Sequence, residues 1–153
     1  MAITPSNLVS QGSPVEILLV EDNLHDANLT RDLLHEDKLQ NHLTVVDDGV
    51  KAMAYLHGAG EYKDRVLPDI VLLDLNLPKK DGREVLAEIK TDARLKHIPV
   101  IILTSSRAEE DILKAYNLNV SSYIIKPVNI DKFVRALRNI DGFWLNVVKM
   151  PVA

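Results

Sequence analysis

Cysteine is absent from the 153 residues, which excludes disulfide bonds and thiolate metal sites and favours an intracellular location. No apolar run approaches the roughly 18 residues that a membrane span needs. The formal net charge of -4 provides no basic surface for nucleic acid. The first residues have neither the basic start nor the apolar centre of a signal peptide. We therefore expect a cytoplasmic protein with no membrane and no nucleic acid as a partner.

The composition is that of a globular protein, with 46% hydrophobic and 26% charged residues. A chain of this length can bury one core of ordinary size. It contains no internal repeat and no low-complexity tract. We expect a flexible N-terminal tail at 1–14, one folded domain at 15–141 and a C-terminal extension at 142–153.

Short β-branched or leucine-rich runs alternate along the chain with longer amphipathic segments. The predicted strands are 16–20, 43–47, 70–74, 99–104 and 122–126. The predicted helices are 24–37, 49–57, 82–90, 107–118 and a last one that begins at 130. Three of the strands are nearly continuously apolar, as strands covered by helices on both faces must be. The pattern predicts an α/β fold with a doubly wound, five-stranded parallel sheet.

Polar side chains stand where four of these strands end. In such sheets the ligand binds beyond the carboxyl ends of the strands, so these side chains should lie close together. They are three acids, a hydroxyl and an ammonium: Glu21, Asp22, Asp74, Thr104 and Lys126. Each one alone has an ordinary structural explanation, because acids that end strands often cap the next helix. Their joint occurrence at the strand ends favours a site.

Carboxylates that meet in a partly buried cleft repel one another, so a cation must lie among them. Mg²⁺ fits, because it prefers carboxylate and carbonyl oxygens and leaves positions open for water or phosphate oxygens. With the metal and Lys126 neutralising charge, one carboxylate can attack phosphorus and form an aspartyl phosphate. Asp74 is the candidate nucleophile.

Four stretches, "ILLVEDN", "VLLDLNLPKKDG", "VIILTSS" and "SYIIKPV", resemble the signature motifs of the receiver domain of two-component response regulators. The resemblance covers roughly residues 15–139 and implies a flavodoxin-like fold with strand order 2-1-3-4-5. The stretches "AMAYL", "LPKKDGREVLAEIK" and "FWLNVVKMP" are most similar to the small cyanobacterial response regulators that serve phytochrome histidine kinases. The implied function is a phosphoacceptor in a phosphorelay, with Mg²⁺-dependent phosphotransfer and self-dephosphorylation as its only chemistry.

The resemblance also assigns roles. Asp74 would accept the phosphoryl group from a kinase phosphohistidine, with Thr104 and Lys126 contacting the phosphate and Pro127 following in its usual place, often in a cis peptide. Tyr123 would join Thr104 as the switch. The implied Mg²⁺ ligands are Glu21, Asp22, Asp74 and the carbonyl of Asn76. The acid pair departs slightly from the family, where two aspartates are commoner, so whether Glu21 binds the metal directly or through water stays open.

Other functions stay open at this point. An aspartyl-phosphate phosphatase would usually have a second acid two residues after Asp74, where this chain has Asn76. A receiver-like scaffold that is never phosphorylated differs in chemistry, not in fold. The five histidines share no metal-ligand spacing, although His25 lies near the acid pair. The cognate kinase, the downstream protein and the phosphorylation lifetime are not identified by the sequence.

The C-terminal segment has more apolar residues than a helix needs in order to cover the sheet with one face. If the last predicted helix continued past 139, its apolar residues would point in all directions around the helix axis, at about 100° per residue, and not along one face. We expect a homodimer that uses this segment, with Phe143, Trp144, Leu145 and Val148 in the interface. The alternative is that the chain turns near Gly142 and packs back on its own domain.

Overall fold

The computed structural model describes residues 14–35, 40–105, 107–109, 120–138 and 140. Within these residues the chain alternates between strands and helices. The strands are β1 (Val15–Val20), β2 (Asn41–Val46), β3 (Ile70–Asp74), β4 (Val100–Thr104) and β5 (Ser122–Ile125). The helices are α1 (Leu24–His35), α2 (Gly49–His57), a 3-10 turn (Gly60–Tyr62), α3 (Gly82–Thr91) and α4 (Ile130–Arg138).

The five strands form one parallel sheet in the order β2-β1-β3-β4-β5. The predicted fold class and strand order are therefore confirmed. The register places Asp74 beside Leu103, and Thr104 beside Ile125. Because all strands run in the same direction, the carboxyl ends of β1, β3, β4 and β5 lie side by side. The predicted site residues lie at this end of the sheet.

Apolar side chains cover both faces of the sheet, as the near-continuous apolar runs predict. On one face, alternate residues of the central strands pack against α2 and α3, as Leu73 and Val85 illustrate. On the other face, the intervening residues pack against α1 and α4, where Leu72 and Phe133 are fully buried. The four described helices therefore pack against the two faces of the sheet, which positions the loops at the carboxyl ends of the strands.

Local signals explain why some elements begin and end as predicted. Helix α2 begins after Asp48, whose Oδ1 accepts a hydrogen bond from the Lys51 amide at 2.7 Å. It ends at Gly58, which adopts a left-handed conformation with a φ of 65°. Strand β2 begins at Asn41, two residues before the prediction, because its polar first residues pair with β1 through the backbone.

Some predictions fall outside the described residues. They include most of the N-terminal tail, most of the helix predicted at 107–118, and the C-terminal extension with its four candidate interface residues, Phe143, Trp144, Leu145 and Val148. Of the helix predicted at 107–118, residues 107–109 are described and are helical. Among the helices described here, none has the length and apolar character that crossing a membrane requires.

Candidate functional site

The segment between β1 and α1 carries the acid pair. Glu21 follows the buried end of β1 and is itself buried, with 2% of its surface exposed, whereas Asp22 is exposed. The Glu21 amide donates to the Val46 carbonyl oxygen at 3.0 Å, which ties this segment to β2. Asn23 accepts a hydrogen bond from the Asp26 amide at 2.9 Å and so caps the first turn of α1. The acids therefore lie between a backbone hydrogen bond to β2 and a side-chain cap on α1.

Asp74 is the last residue of β3 and is buried, with 6% of its surface exposed. Its Oδ1 accepts a hydrogen bond from the Asn76 amide at 2.9 Å. The following loop passes so close to α3 that a Cβ on Gly82 would lie 2.5 Å from the Asp74 carbonyl oxygen. Only glycine fits there, so the backbone on both sides of the carboxylate is closely confined.

Lys126 follows β5 and reaches across the edge of the sheet. Its amide donates to the Thr104 carbonyl oxygen at 2.8 Å, which continues the pairing of β4 with β5 by one residue. Its ammonium lies 2.6 Å from Glu21 Oε1, 2.8 Å from Asp74 Oδ2 and 3.2 Å from Asp26 Oδ2. One cation is therefore shared by carboxylates from three segments of the chain.

A second lysine holds the backbone on both sides of Lys126. Lys132, in the first turn of α4, donates from Nζ to the carbonyl oxygens of Ile125 at 2.9 Å and Pro127 at 3.1 Å. The peptide bond between Lys126 and Pro127 is cis, which agrees with the expectation for Pro127. Lys132 thus ties the loop that carries the site ammonium to the start of the last described helix.

The packing of the site shifts the pKa values of two of its groups, Glu21 and Lys126. Burial and the neighbouring Asp74 carboxylate raise the pKa of Glu21 from 4.5 to about 7, although Lys126 opposes the shift. Burial alone would lower the pKa of Lys126, but its close contacts with the carboxylates of Asp74 and Glu21 outweigh burial, so this pKa is raised. The single positive charge of Lys126 therefore lies among three carboxyl groups and cannot balance the negative charge of all of them.

The acids fit a hard divalent cation. One oxygen from each of Glu21, Asp22 and Asp74 can be chosen so that the three oxygens lie within 4.8 Å of one another. Within the described part of the chain, Glu21 Oε1 is buried and accepts no hydrogen bond, although the Lys126 ammonium lies 2.6 Å from it as an ion-pair partner. A cation would satisfy this oxygen and neutralise the crowded charges.

The other predicted residues lie as follows. Thr104 ends β4 and is buried, with 1% of its surface exposed. Tyr123 lies on β5, is partly buried and packs against the core on the face covered by α2 and α3. Asn76 is exposed beside Asp74. His25 is also exposed, and its neighbour Asp26 is the residue of that turn that contacts the site.

Two residues were not predicted. Asp26 and Lys132 both lie in the first turns of helices, whereas the five polar residues that predict the site lie at the ends of strands. The sequence holds a weak signal for Asp26, because an acid in the first turn of a helix after an acid pair lies at the same edge of the sheet. For Lys132 the signal is only its distance of six residues from Lys126.

Comparison with known proteins connects this geometry to a family. The family model of the response regulator receiver domain matches residues 17–138. The curated protein "Response regulator Rcp1" of Synechocystis sp. is 45% identical over 140 residues, which cover 92% of this chain and 95% of the relative. The match to the family model, at 17–138, therefore includes all the site residues described above.

Solved structures of response regulators and receiver domains are similar to this chain in sequence and in fold. The phosphorylated cyanobacterial phytochrome response regulator RcpA is 47% identical, with a TM-score of 0.70 over 88% of this chain and 96% of its own. The Mn(2+)-bound form of Rcp1 is 45% identical, with a TM-score of 0.69 over 91% and 100% of the two chains. A receiver domain of a sensor histidine kinase from Pseudomonas aeruginosa, with magnesium in its active site cleft, is 28% identical, with a TM-score of 0.67 over 82% and 97%.

Proposed function

Because the chain belongs to the response regulator receiver family, we propose that it is a phosphoacceptor that takes a phosphoryl group from a histidine kinase onto Asp74. The observation that carries this proposal is the buried Asp74 carboxylate with Oδ2 2.8 Å from Lys126 Nζ, in a group of acids that fits a divalent cation. A nucleophile, a cation for the phosphate and the ligands for a metal are thereby present together.

The transfer is a displacement at phosphorus. A carboxylate oxygen of Asp74 forms a bond to phosphorus while the bond from phosphorus to the imidazole nitrogen of the donor breaks. The electron pair of that bond stays on the imidazole, which takes a proton from solvent. Lys126 neutralises charge on the phosphoryl oxygens, and water later attacks the aspartyl phosphate and releases phosphate.

Mg²⁺ is the proposed cofactor, held by Glu21, Asp22, Asp74 and the backbone carbonyl of Asn76. Bound there, it supplies positive charge that allows an anionic donor to approach a cluster of carboxylates. Two observations support these ligands: oxygens of the three acids lie within 4.8 Å of one another, and the buried Glu21 Oε1 accepts no hydrogen bond. The Mn²⁺ bound by Rcp1 and the magnesium in the Pseudomonas aeruginosa receiver domain support a divalent cation at this position.

Thr104 and Tyr123 form the proposed switch. The phosphoryl group adds about 1.5 to 2 negative charges, which favours any conformer that brings a hydroxyl donor to it. Thr104 ends the strand beside β3, and Tyr123 lies on the next strand. Thr104→Ala should accept the phosphoryl group but show smaller NMR shift changes around β4 and Tyr123 than the parent protein does. Equal shift changes would exclude this route.

The direct test uses a small phosphodonor, Mg²⁺ and intact-protein mass spectrometry. The parent protein should gain the mass of one phosphoryl group, and chelation of Mg²⁺ should prevent the gain. Asp74→Asn should abolish it, whereas the exposed control Asp64→Asn should react like the parent. Labelling of Asp74→Asn, or labelling that survives chelation, would contradict the assignment. A parent protein that never reacts, even with kinases, would favour the scaffold alternative.

The proposed partner is a phytochrome histidine kinase. Its phosphohistidine would donate the phosphoryl group to Asp74 in the cytoplasm. The likeness to Rcp1 and to the phytochrome response regulator RcpA supports this donor. Purified phosphorylated kinases can be mixed with the protein and the transfer rate measured directly. A phytochrome kinase should react faster than unrelated kinases, and equal rates would remove the phytochrome part alone. The downstream protein stays unassigned.

A further inference from the structure

Asp26 is a third carboxylate on the site ammonium that the proposed chemistry does not use. Its Oδ2 lies 3.2 Å from Lys126 Nζ and accepts a hydrogen bond from it. The same Nζ donates to Asp74 Oδ2 at 2.8 Å. Asp26 and Asp74 therefore share the protons of one ammonium, although β2, α2 and the 3-10 turn lie between their two elements in the chain.

The position of Asp26 is fixed by its own helix. Its amide donates to Asn23 Oδ1 at 2.9 Å, which orders the first turn of α1. The next residue, Ala27, is buried against the sheet with Leu34, so α1 cannot rotate away without exposing apolar surface. The Asp26 carboxylate is consequently held beside Lys126 and does not reach it merely as a flexible surface group.

Asp26 differs from the other acids in two respects. Its side chain is 35% exposed, whereas those of Glu21 and Asp74 are 1% and 8% exposed. It also stands outside the group of three acids that can hold one metal ion. A metal bound to that group would take no ligand from Asp26, which leaves the Asp26 carboxylate available to Lys126.

We propose that Asp26 is a positioning residue that holds the Lys126 ammonium before phosphorylation and competes with the phosphoryl group for it. This inference rests on the proposed function of Asp74. Lys126 has three N–H donors, and each donor that stays on Asp26 is withheld from a phosphoryl oxygen. The fixed negative charge of Asp26 also repels an incoming dianion.

The contact should have a moderate effect. It is the longest of the three around Lys126 and the most exposed, so solvent screens it in part. Removing the charge of Asp26 should therefore strengthen phosphoryl binding by about three- to tenfold, as expected for one partly screened charge at short range. Low salt should enlarge the effect and high salt should reduce it.

The test measures the binding of fluoroberyllate, a stable mimic of the phosphoryl group, to the full chain by NMR titration. Mg²⁺ is kept saturating for every variant, so that a changed metal affinity does not alter the result. Asp26→Asn keeps the shape and the hydrogen-bond acceptor but removes the charge. Asp26→Glu keeps the charge, and Asp32→Asn makes the same charge change at an exposed position of the same helix.

We expect Asp26→Asn to bind the mimic about three- to tenfold more tightly than the parent, and this gain to shrink as salt rises. Asp26→Glu and Asp32→Asn should match the parent. Unchanged or weaker binding by Asp26→Asn, or an equal gain in Asp32→Asn, would overturn the inference while leaving the proposed function intact. A parent protein that does not bind the mimic would instead count against the proposed function itself.

Discussion

The α-carbon of Gly82 packs against the backbone of Asp74, so closely that an added Cβ would lie 2.5 Å from the Asp74 carbonyl oxygen. The Gly82 amide also donates to the Leu75 carbonyl oxygen at 3.0 Å. The first residue of α3 is thereby fixed against the end of β3. The backbone that carries the proposed phosphoacceptor depends on a glycine eight residues away.

Gly82→Ala should destabilise the protein strongly, because the new methyl group meets backbone atoms that have no room to move. We expect a loss of about 3 kcal/mol in the free energy of unfolding, measured by urea denaturation. Gly60→Ala is the control: it has open space around its Cβ position but a φ of 58°, so it should lose about 1 kcal/mol. A loss at Gly82 no larger than that at Gly60 would contradict the close packing.

Mg²⁺ affinity should depend on pH through Glu21. Because the pKa of Glu21 is raised from 4.5 to about 7, a metal that binds its carboxylate must displace a proton below neutrality. The logarithm of the association constant should rise with pH up to about 7 and level off above it. Calorimetric titrations between pH 5.5 and 8.5, at roughly unit steps, measure this trend.

Glu21→Gln should bind Mg²⁺ more weakly and lose most of the trend, whereas the exposed control Glu84→Gln should keep it. If the parent protein binds Mg²⁺ equally well across this range, Glu21 does not exchange its proton for the metal.

The same pKa should affect the stability of the metal-free protein. A raised pKa in the folded state means that Glu21 contributes stability below about pH 4.5, and that this contribution is lost as pH rises through about 7. Glu21→Gln carries no charge at any pH. The stability of the parent relative to this variant should therefore fall between pH 5 and 8, by on the order of 1 kcal/mol.

Denaturation in the presence of a chelator, at several pH values, makes this comparison. A stability difference between parent and variant that stays constant with pH would show that Glu21 ionises normally in the folded state.

Lys132→Met should loosen the loop that carries Lys126. The change removes hydrogen bonds to the carbonyl oxygens of Ile125 and Pro127 but keeps most of the apolar stem. We expect a loss of about 1 to 3 kcal/mol in the free energy of unfolding, with NMR shift changes at the Lys126 amide. Lys96→Met, at an exposed position, should change neither. Variants with indistinguishable stability and spectra would exclude a role for Lys132.

The C-terminal segment should mediate dimerisation. We expect the full chain to sediment as a dimer at micromolar concentration and a version that ends at Asp141 to sediment as a monomer, because the residues after 141 add apolar side chains around a whole helix circumference. Trp144→Ala in the full chain should weaken the dimer. A full chain that sediments as a monomer, with and without phosphorylation, would instead indicate that the segment covers its own domain.

Much of the fold could be predicted because local and global signals agree. Strand β3 is a continuous apolar run that is buried on both faces, and α2 has a capping acid before it and a glycine after it. The start of β2 was predicted too late because Asn41 and His42 are polar. The pairing of their backbone with β1 is a tertiary effect that the periodicity of the sequence does not show.

For the site, the rule that ligands bind at strand ends selected residues that the fold does bring together: Glu21, Asp22, Asp74 and Lys126. It did not select Asp26, whose contact with Lys126 spans 100 residues of sequence. It also could not supply the raised pKa of Glu21, because that shift comes from burial and from a neighbour on another strand. Such effects follow from the packed structure alone.

The loop after β3 is held at both of its ends. A Cβ on Gly49, the first residue of α2, would clash with the Lys80 carbonyl oxygen, and one on Gly82 would lie 2.5 Å from the Asp74 carbonyl oxygen. Between them Lys79 adopts a φ of 63°, which residues other than glycine rarely do. An inserted residue in this loop would have to push a helix off the sheet, whereas the connection around Gly60 has open space and can lengthen.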